Sequence, residues 1–283
     1  MKKGIITILL LIIVAIVVIA AYFASQYTVI QENTGLSGIQ LFNAEWRGTI
    51  RITGDVYFPP WNQLTITPGT KIFFEKEPDV ENTDWVSHAD AYIKDHNDPT
   101  GREGYSKTHY ELYGKIIAIG TSDQPIIFTS AQTAKEYADW DEVILASDSI
   151  FEHVELSYAH NGININGNNI LIKNSKIHDS LWSCIDIFST SNQIENNEIY
   201  HCWHQAIGVK VKSVNTIENN NIHDSQLSIN CEFGANPTIR KNVFKSAPLN
   251  SQCPQDESNI EKAGKYDVVG GTYGGKLIYP ATE

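Results

Sequence analysis

The chain has 283 residues, 33 of them acidic and 21 basic, for a formal net charge of −12. That balance argues against nucleic acid as a partner and against polyanion storage, because a net negative surface repels phosphates. Neutral glycans, cation binding and simple solubility remain open.

In chain order, Ile5 to Ala24 come first, uncharged and nearly all aliphatic. Such a run is long enough for one membrane-spanning helix, and Lys2 and Lys3 would hold its start on the cytoplasmic side. A cleaved signal segment is the competing reading. Its apolar stretch usually runs about 7–15 residues and ends in small side chains, whereas Tyr22 and Phe23 stand near the end here. Residues 1–25 therefore read as a membrane anchor (or signal segment) and 26–45 as a polar tether. The expected localisation is membrane-anchored, single-pass, with the main domain extracytoplasmic.

Residues 75–113 form a segment without repeat, dense in Asp, Glu and His. Within it Asp95, Asn97, Asp98 and Glu103 surround a glycine. These are oxygen ligands of the kind Ca²⁺ prefers, although their spacing is not that of an EF-hand. An exposed acidic loop without metal is the plainer reading, and no other cofactor is expected. Trp85, Tyr92, Tyr105 and Tyr110 lie in the same segment and would supply an aromatic wall if it folded back.

From Phe151 to Phe244 the sequence repeats. The pairs Phe151/Leu156, Ile172/Ile177, Ile194/Ile199, Ile217/Ile222 and Ile239/Phe244 recur at intervals of 21, 22, 23 and 22 residues. A stricter series, Ile163, Ile185, Ile207 and Ile229, is spaced by 22, as is Ile165, Ile187, Val209 and Cys231. A fixed period of this size denotes a solenoid, in which a unit buries its apolar face only by stacking on a neighbour. Apolar residues two apart and rich in β-branching are the strand pattern. Between the pairs lie Asn174, Asn196-Asn197, Asn219-Asn220 and Asn242, and Asn tolerates the left-handed backbone of a sharp corner. The LxxLxL consensus of a leucine-rich repeat is absent.

A coil of 22 residues with Asn corners and isoleucine stacks resembles the right-handed parallel β-helix of the pectin-lyase-like superfamily. LTITPGTKIFF (64–74) and GKIIAIGTSDQPIIFTSA (114–131) resemble the opening coils of such proteins. The expected fold class is all-β: a right-handed parallel β-helix solenoid of about eight coils, with an N-terminal transmembrane helix. It would span 46–247 with the inserted loop 75–113, and 248–283 would cap its open end.

Chemistry is expected on strand residues that alternate with the inward isoleucines. One outward column reads Asn164, Asp186, Gly208, Asn230, and the next Asn166, Phe188, Lys210, Glu232, with Trp182 beside His204. Asp186 and Lys210 would lie about 8 Å apart at Cα, with Gly208 as a notch for ligand. Superfamily enzymes place acidic and basic residues on such a face. The resemblance thus implies a polysaccharide lyase or glycoside hydrolase, with Asp186, His204, Lys210 and Glu232 catalytic and Trp182, Phe188, Asn164 and Asn230 in substrate contact. The polygalacturonase signatures DD, GHG and RIK are absent, the one NTD string (82–84) lies outside the repeats, and Arg240 is the only arginine after Arg102. A face that contacts glycan without cleaving it therefore stays open, as does a merely solvated strand.

His201 falls in register with Asp179 and Asp224, and Tyr200 with His178 and His223. An imidazole between carboxylates favours its protonated form and makes a poor metal ligand. The superfamily nevertheless includes periplasmic proteins of copper-linked nitrous-oxide reductase maturation, which keeps a metal-handling reading open for the HCWH string at 201–204. Of the four cysteines, Cys184 and Cys253 could bridge, whereas Cys202 and Cys231 read as buried free thiols. The expected function is a membrane-anchored extracytoplasmic protein that binds, and in one version cleaves, a polysaccharide or cell-envelope glycan. The alternatives are a non-catalytic surface scaffold or adhesion module and a metal-handling accessory protein.

Overall fold

A computed structural model describes residues 12–15, 27–76, 110–210, 214–247, 249–250, 252–262, 271–273 and 276–278. Its body is a parallel solenoid with three strands to the coil. One face stacks Val143–Leu145, Ile163–Ile165, Ser183–Ile187, Gln205–Val209 and Leu227–Cys231. The second stacks Ile150–Glu152, Leu171–Lys173, Gln193–Glu195, Thr216–Glu218 and Thr238–Arg240. The third runs from Val154–Ser157 through Lys176–Ser180, Glu198–Cys202, Asn221–His223 and Val243–Lys245 to Ile260–Lys262. The expected register holds: Ile163, Ile185, Ile207 and Ile229 are Cα partners along the stack and all are fully buried.

Towards the N-terminus the strands lengthen and bend from one face to the next. Leu112–Ile119 pairs with both Val143–Leu145 and Ile150–Glu152. Asn43–Tyr57 pairs with Gln63–Ile66 and Lys71–Phe74. Within the stretch read as a tether, Tyr27–Ile39 is itself a strand, parallel to Asn43–Tyr57. This end is packed by aromatics, with Trp46, Phe58, Phe74, Phe128 and Trp140 fully buried and Phe74 stacked on Trp140 at 3.9 Å.

The expected transmembrane helix is a correction. Among the described residues no helix is long and apolar enough to cross a membrane. Of residues 1–25 only 12–15 are described, as a helical turn, and the rest lie outside the described residues. The fold class is therefore an all-β, largely parallel solenoid, and membrane attachment and a single-pass localisation are not retained. Asp95, Asn97, Asp98 and Glu103, the expected Ca²⁺ ligands, also lie outside the described residues, as do Trp85, Tyr92 and Tyr105.

The free-thiol reading of Cys202 and Cys231 is a second correction, because Cys202 bonds Cys184 and Cys231 bonds Cys253. Stacking brings residues 18 and 22 positions apart side by side. Burial alone had suggested inert thiols, whereas the coil geometry supplies each with a partner.

The Asn corners do two jobs. Asn174, Asn196 and Asn219 adopt positive φ of 53°, 57° and 58°, the left-handed turn expected of them. The next residue in each later coil points inward and builds a ladder. Asn197 Nδ2 donates to Ile172 O (2.9 Å) and Asn220 Oδ1 (3.1 Å), and Asn220 Nδ2 donates to Ile194 O (2.9 Å) and Asn242 Oδ1 (3.0 Å). Each Oδ1 also accepts the backbone N–H of the Asn one coil earlier. Buried corner groups are thereby satisfied where the strand ladder stops. Asn220→Ala would orphan the amide of Asn197 and the carbonyl of Ile194, costing about 2–4 kcal/mol. Asn221→Ala, at an exposed neighbour, should stay within about 0.5 kcal/mol. Urea denaturation of both variants checks this, and equal costs would rule out the ladder as a stabilising element.

Candidate functional site

The column Asn164, Asp186, Gly208, Asn230 lies in the expected register, alternating with the core isoleucines. It is not an open face, which corrects the expectation of solvated side chains beside a notch. Asn164, Asp186 and Lys210 are only 1%, 4% and 3% exposed. The reason is that the polar groups close over one another. Gln205 Nε2 donates to Ser183 Oγ (3.0 Å) and to Asp186 Oδ1 (3.1 Å). Gln205 Oε1 accepts from Asn230 Nδ2 (2.8 Å), which also donates to Glu232 Oε1 (2.9 Å). Lys210 Nζ donates to the same Glu232 oxygen at 2.7 Å and stands 3.8 Å from Asp186 Oδ1. Gly208 admits no ligand: a methyl there would collide with Asp186 Oδ1, Gln205 Nε2 and Lys210 Cε. Its missing side chain is the space that Asp186 and Gln205 fill.

Asp186, Lys210, Glu232 and Asn230 are thus brought together, and His204 is set apart, stacked on Trp182 at 4.3 Å. Burial pushes the Asp186 carboxyl up; Lys210, Ser183 and Gln205 pull it down in part, and Glu232 adds to the rise. Sequence reasoning missed Gln205, the hub. The available signal was its repeat slot, in register with Ser183 one coil earlier.

It also missed a neighbouring group of acids. Asn164 Nδ2 donates to both carboxylate oxygens of Glu142, at 3.4 and 3.2 Å. Burial drives the Glu142 carboxyl well above the usual carboxylate range, and Asp141 adds to that shift. The carboxylates of Glu111, Asp141 and Glu142, all buried, have oxygens within 4.8 Å of one another. No repeat carries these residues, so no periodicity pointed to them.

Comparison with known families bears on this same stretch. The family described as "Right handed beta helix region" matches residues 140–265. Residues 140–265 are a right-handed β-helix region. No curated protein and no solved structure matches the chain.

Along the third face of the β-helix the expected histidine ladder is present. His178, Tyr200 and His223 stack with centroids 4.7 and 4.9 Å apart and planes 2° and 4° from parallel. At the following corner Asp179, His201 and Asp224 hold positive φ of 53°, 52° and 48°. His178 Nδ1 is 2.7 Å from Asp179 Oδ2, His201 Nδ1 is 3.1 Å from Asp179 Oδ1, and His223 Nδ1 is 2.8 Å from Asp224 Oδ2. Tyr200 is pushed up to about 12, by burial first and then by Asp179 and Glu198. His178 and His223 hold both ring nitrogens near carboxylates and His201 its Nδ1, and Cys202 of the HCWH string is disulfide-bonded to Cys184.

Two outcomes follow from this geometry. Gly208→Ala should cost about 1–3 kcal/mol by overpacking, and measurably less when Asp186 is also Ala, because the nearest colliding atom is gone and Gln205 is released to shift. A double-mutant cycle in urea measures this, and an unchanged cost would exclude the contact. The second concerns pH. Burial works to raise Asp179, but hydrogen bonds from His178 and His201 outweigh it and bring the carboxyl from 3.8 down to about 2. For His178, burial works downward, and hydrogen bonds to Asp179 and Glu155 raise it above 6.5. The Asp179 contribution is present above pH 3.8 and fades as pH falls through about 2. The His178 contribution is full below pH 6.5 and fades as pH rises through its elevated value. Wild type should therefore exceed Asp179→Asn by about 2 kcal/mol between these limits, with the gap narrowing on either side. A pH-independent gap in denaturation midpoints would refute the assignment.

Proposed function

We propose that the β-helix is a non-catalytic polysaccharide-binding module, with aromatic contacts at the ends of its first strand face. The membrane-anchored part of the expected function is set aside, because among the described residues no helix is long and apolar enough to cross a membrane. The observation that carries the proposal is the closed network itself. Asp186, Lys210 and Glu232 already accept or donate to one another and to Gln205 and Asn230. A general acid or base must reach a substrate proton at about 2.6–3.2 Å, and burial beneath a packed polar layer does not favour that.

Binding needs less. Phe188, Lys210 and Glu232 occupy successive coils, since Lys210 N donates to Ile187 O and Glu232 N to Val209 O. Phe233 follows, 78% exposed and at a φ of 52°. A bulky side chain in left-handed backbone is uncommon and carries strain, and this one holds an aromatic ring in solvent. Trp182, stacked on His204, stands at the opposite end of the strand, about 20 Å away. Flat apolar faces beside amide and carboxylate groups, here Asn230 and Glu232, suit a sugar ring with its apolar faces and polar rim.

Affinity electrophoresis against a panel of neutral and acidic polysaccharides tests this. Phe233→Ala should weaken retardation about tenfold with the thermal midpoint unchanged, and Trp182→Phe, which keeps a ring on His204, should weaken it less. Wild type should release no reducing ends or unsaturated products. Product release lost in Asp186→Asn would make the protein an enzyme, and binding to protein partners alone would make it a scaffold. Either result overturns the proposal.

A further inference from the structure

We propose that Glu111, Asp141 and Glu142, with the side-chain oxygen of Asn164, form a buried binding site for one divalent cation, Ca²⁺ in preference to Mg²⁺. The site is separate from the aromatic contacts above and does not depend on them.

Its origin is coil stacking. Leu112 pairs with Val143, and Leu112 N donates to Glu142 O at 3.1 Å. Glu111 and Glu142 are therefore opposed across adjacent coils, and Asp141 precedes Glu142 at the entry to the same strand. All three are buried, at 6%, 2% and 1% exposure. Stacked acids elsewhere either meet a base, as Glu152 meets Lys173 and Glu198 meets Lys176, or stay partly exposed, as in Glu195 on Glu218. Here acid meets acid, and both are buried. Like charges this close in a poorly solvated place cannot all ionise without a proton or a cation between them. His160 Nδ1, 3.3 Å from Asp141 Oδ1, faces one member of the group.

Asn164 is the independent indication that a ligand belongs there. The residue is buried, and its Nδ2 points at Glu142. Its Oδ1 is also buried and accepts no hydrogen bond. A buried amide oxygen left unpaired is rare. Turning the amide about its last torsion exchanges Nδ2 for Oδ1 with no change of shape. That places a neutral oxygen against the carboxylates, which is unfavourable towards the acids alone and favourable once a cation lies between them. The protein oxygens on offer are then three carboxylates and one amide, the hard donor set that selects Ca²⁺ or Mg²⁺ over softer metals.

Hydration separates these two. Mg²⁺ gives up its waters reluctantly and is seldom enclosed by protein oxygens alone, whereas Ca²⁺ accepts protein oxygens in flexible geometry. A buried group of carboxylates held by two different coils, with oxygens within 4.8 Å of one another, therefore suits Ca²⁺ better.

The full chain, stripped with EDTA and then titrated with CaCl₂ or MgCl₂, provides the test by calorimetry and thermal scans. Ca²⁺ at a hundredfold excess over its Kd should raise Tm by roughly 5 °C, and Mg²⁺ should bind at least about tenfold more weakly. Terbium substituted for Ca²⁺ should luminesce through Trp140, which adjoins Asp141 in the chain, and excess Ca²⁺ should quench that signal. Glu142→Gln should abolish both responses while leaving Tm in EDTA equal or higher, since Gln fills the same space and needs no bound proton to stay neutral. A merely structural Glu142 would instead lower it. Should Glu142→Gln fail to fold, Asp141→Asn serves the same purpose, and Glu218→Gln at a surface ion pair should keep the full response. No response in wild type, a response preserved in Glu142→Gln, or equal binding of Mg²⁺ would each overturn the proposal.

Discussion

One constraint governs this molecule: each coil buries its apolar side chains only against the coils above and below. The columns Ile163–Ile185–Ile207–Ile229 and Ile172–Ile194–Ile217–Ile239 are the result. Parallel stacking in register leaves little freedom, because a slip by one residue would turn every isoleucine out of the core. Every other position is therefore also stacked, about 4.8 Å from its counterpart. Whatever chemistry occupies a slot meets whatever occupies that slot one coil away.

The polar columns are responses to that meeting. At the corners, Asn meets Asn, and an amide that both donates and accepts can propagate indefinitely. On the third face, His178, Tyr200 and His223 meet as parallel rings, while the carboxylates of Asp179 and Asp224 take up their nitrogens. On the exposed flanks, Glu152 meets Lys173 and Glu218 meets Arg240. Beside Gly208, an absent side chain lets Asp186 and Gln205 join across one coil. Glu111 opposite Glu142 departs from this pattern, since two carboxylates that stack have nothing to exchange. Other like-charged slots, such as Glu195 on Glu218, keep their side chains partly exposed, and the acidic group stands out because it is buried.

The same arithmetic separates binding from catalysis. An acid and a base on adjacent coils are close enough to pair directly, so a stacked face tends to neutralise its own reactive groups. Lys210 between Asp186 and Glu232 is that case. A side chain carried into solvent just past the end of a strand escapes it. Phe233 is placed there, on a left-handed residue followed by a second one, Gly234. Recognition at the exits of strands, over a sealed face between them, is consistent with a binding module.

The parallel solenoid and its inward columns were legible from residues 151–244 alone, because periodicity is a local property of the chain. So were the left-handed Asn corners and the His178–Tyr200–His223 stack, which need only the repeat length. Residue spacing could not tell that the Asp186 face is sealed, because burial depends on how Gln205, Asn230 and Lys210 fold over it. Nor could it pair Cys184 with Cys202 or Cys231 with Cys253, since sulfur reach is a matter of side-chain direction at a corner. The group of Glu111, Asp141 and Glu142 lies outside the strict repeat, so only the three-dimensional path of the strand from Leu112 to Ile119 brings its members together. Sequence determined which residues stack, through the 22-residue period of apolar burial; tertiary structure decided which of the remaining groups neutralise one another and which are left facing a like charge.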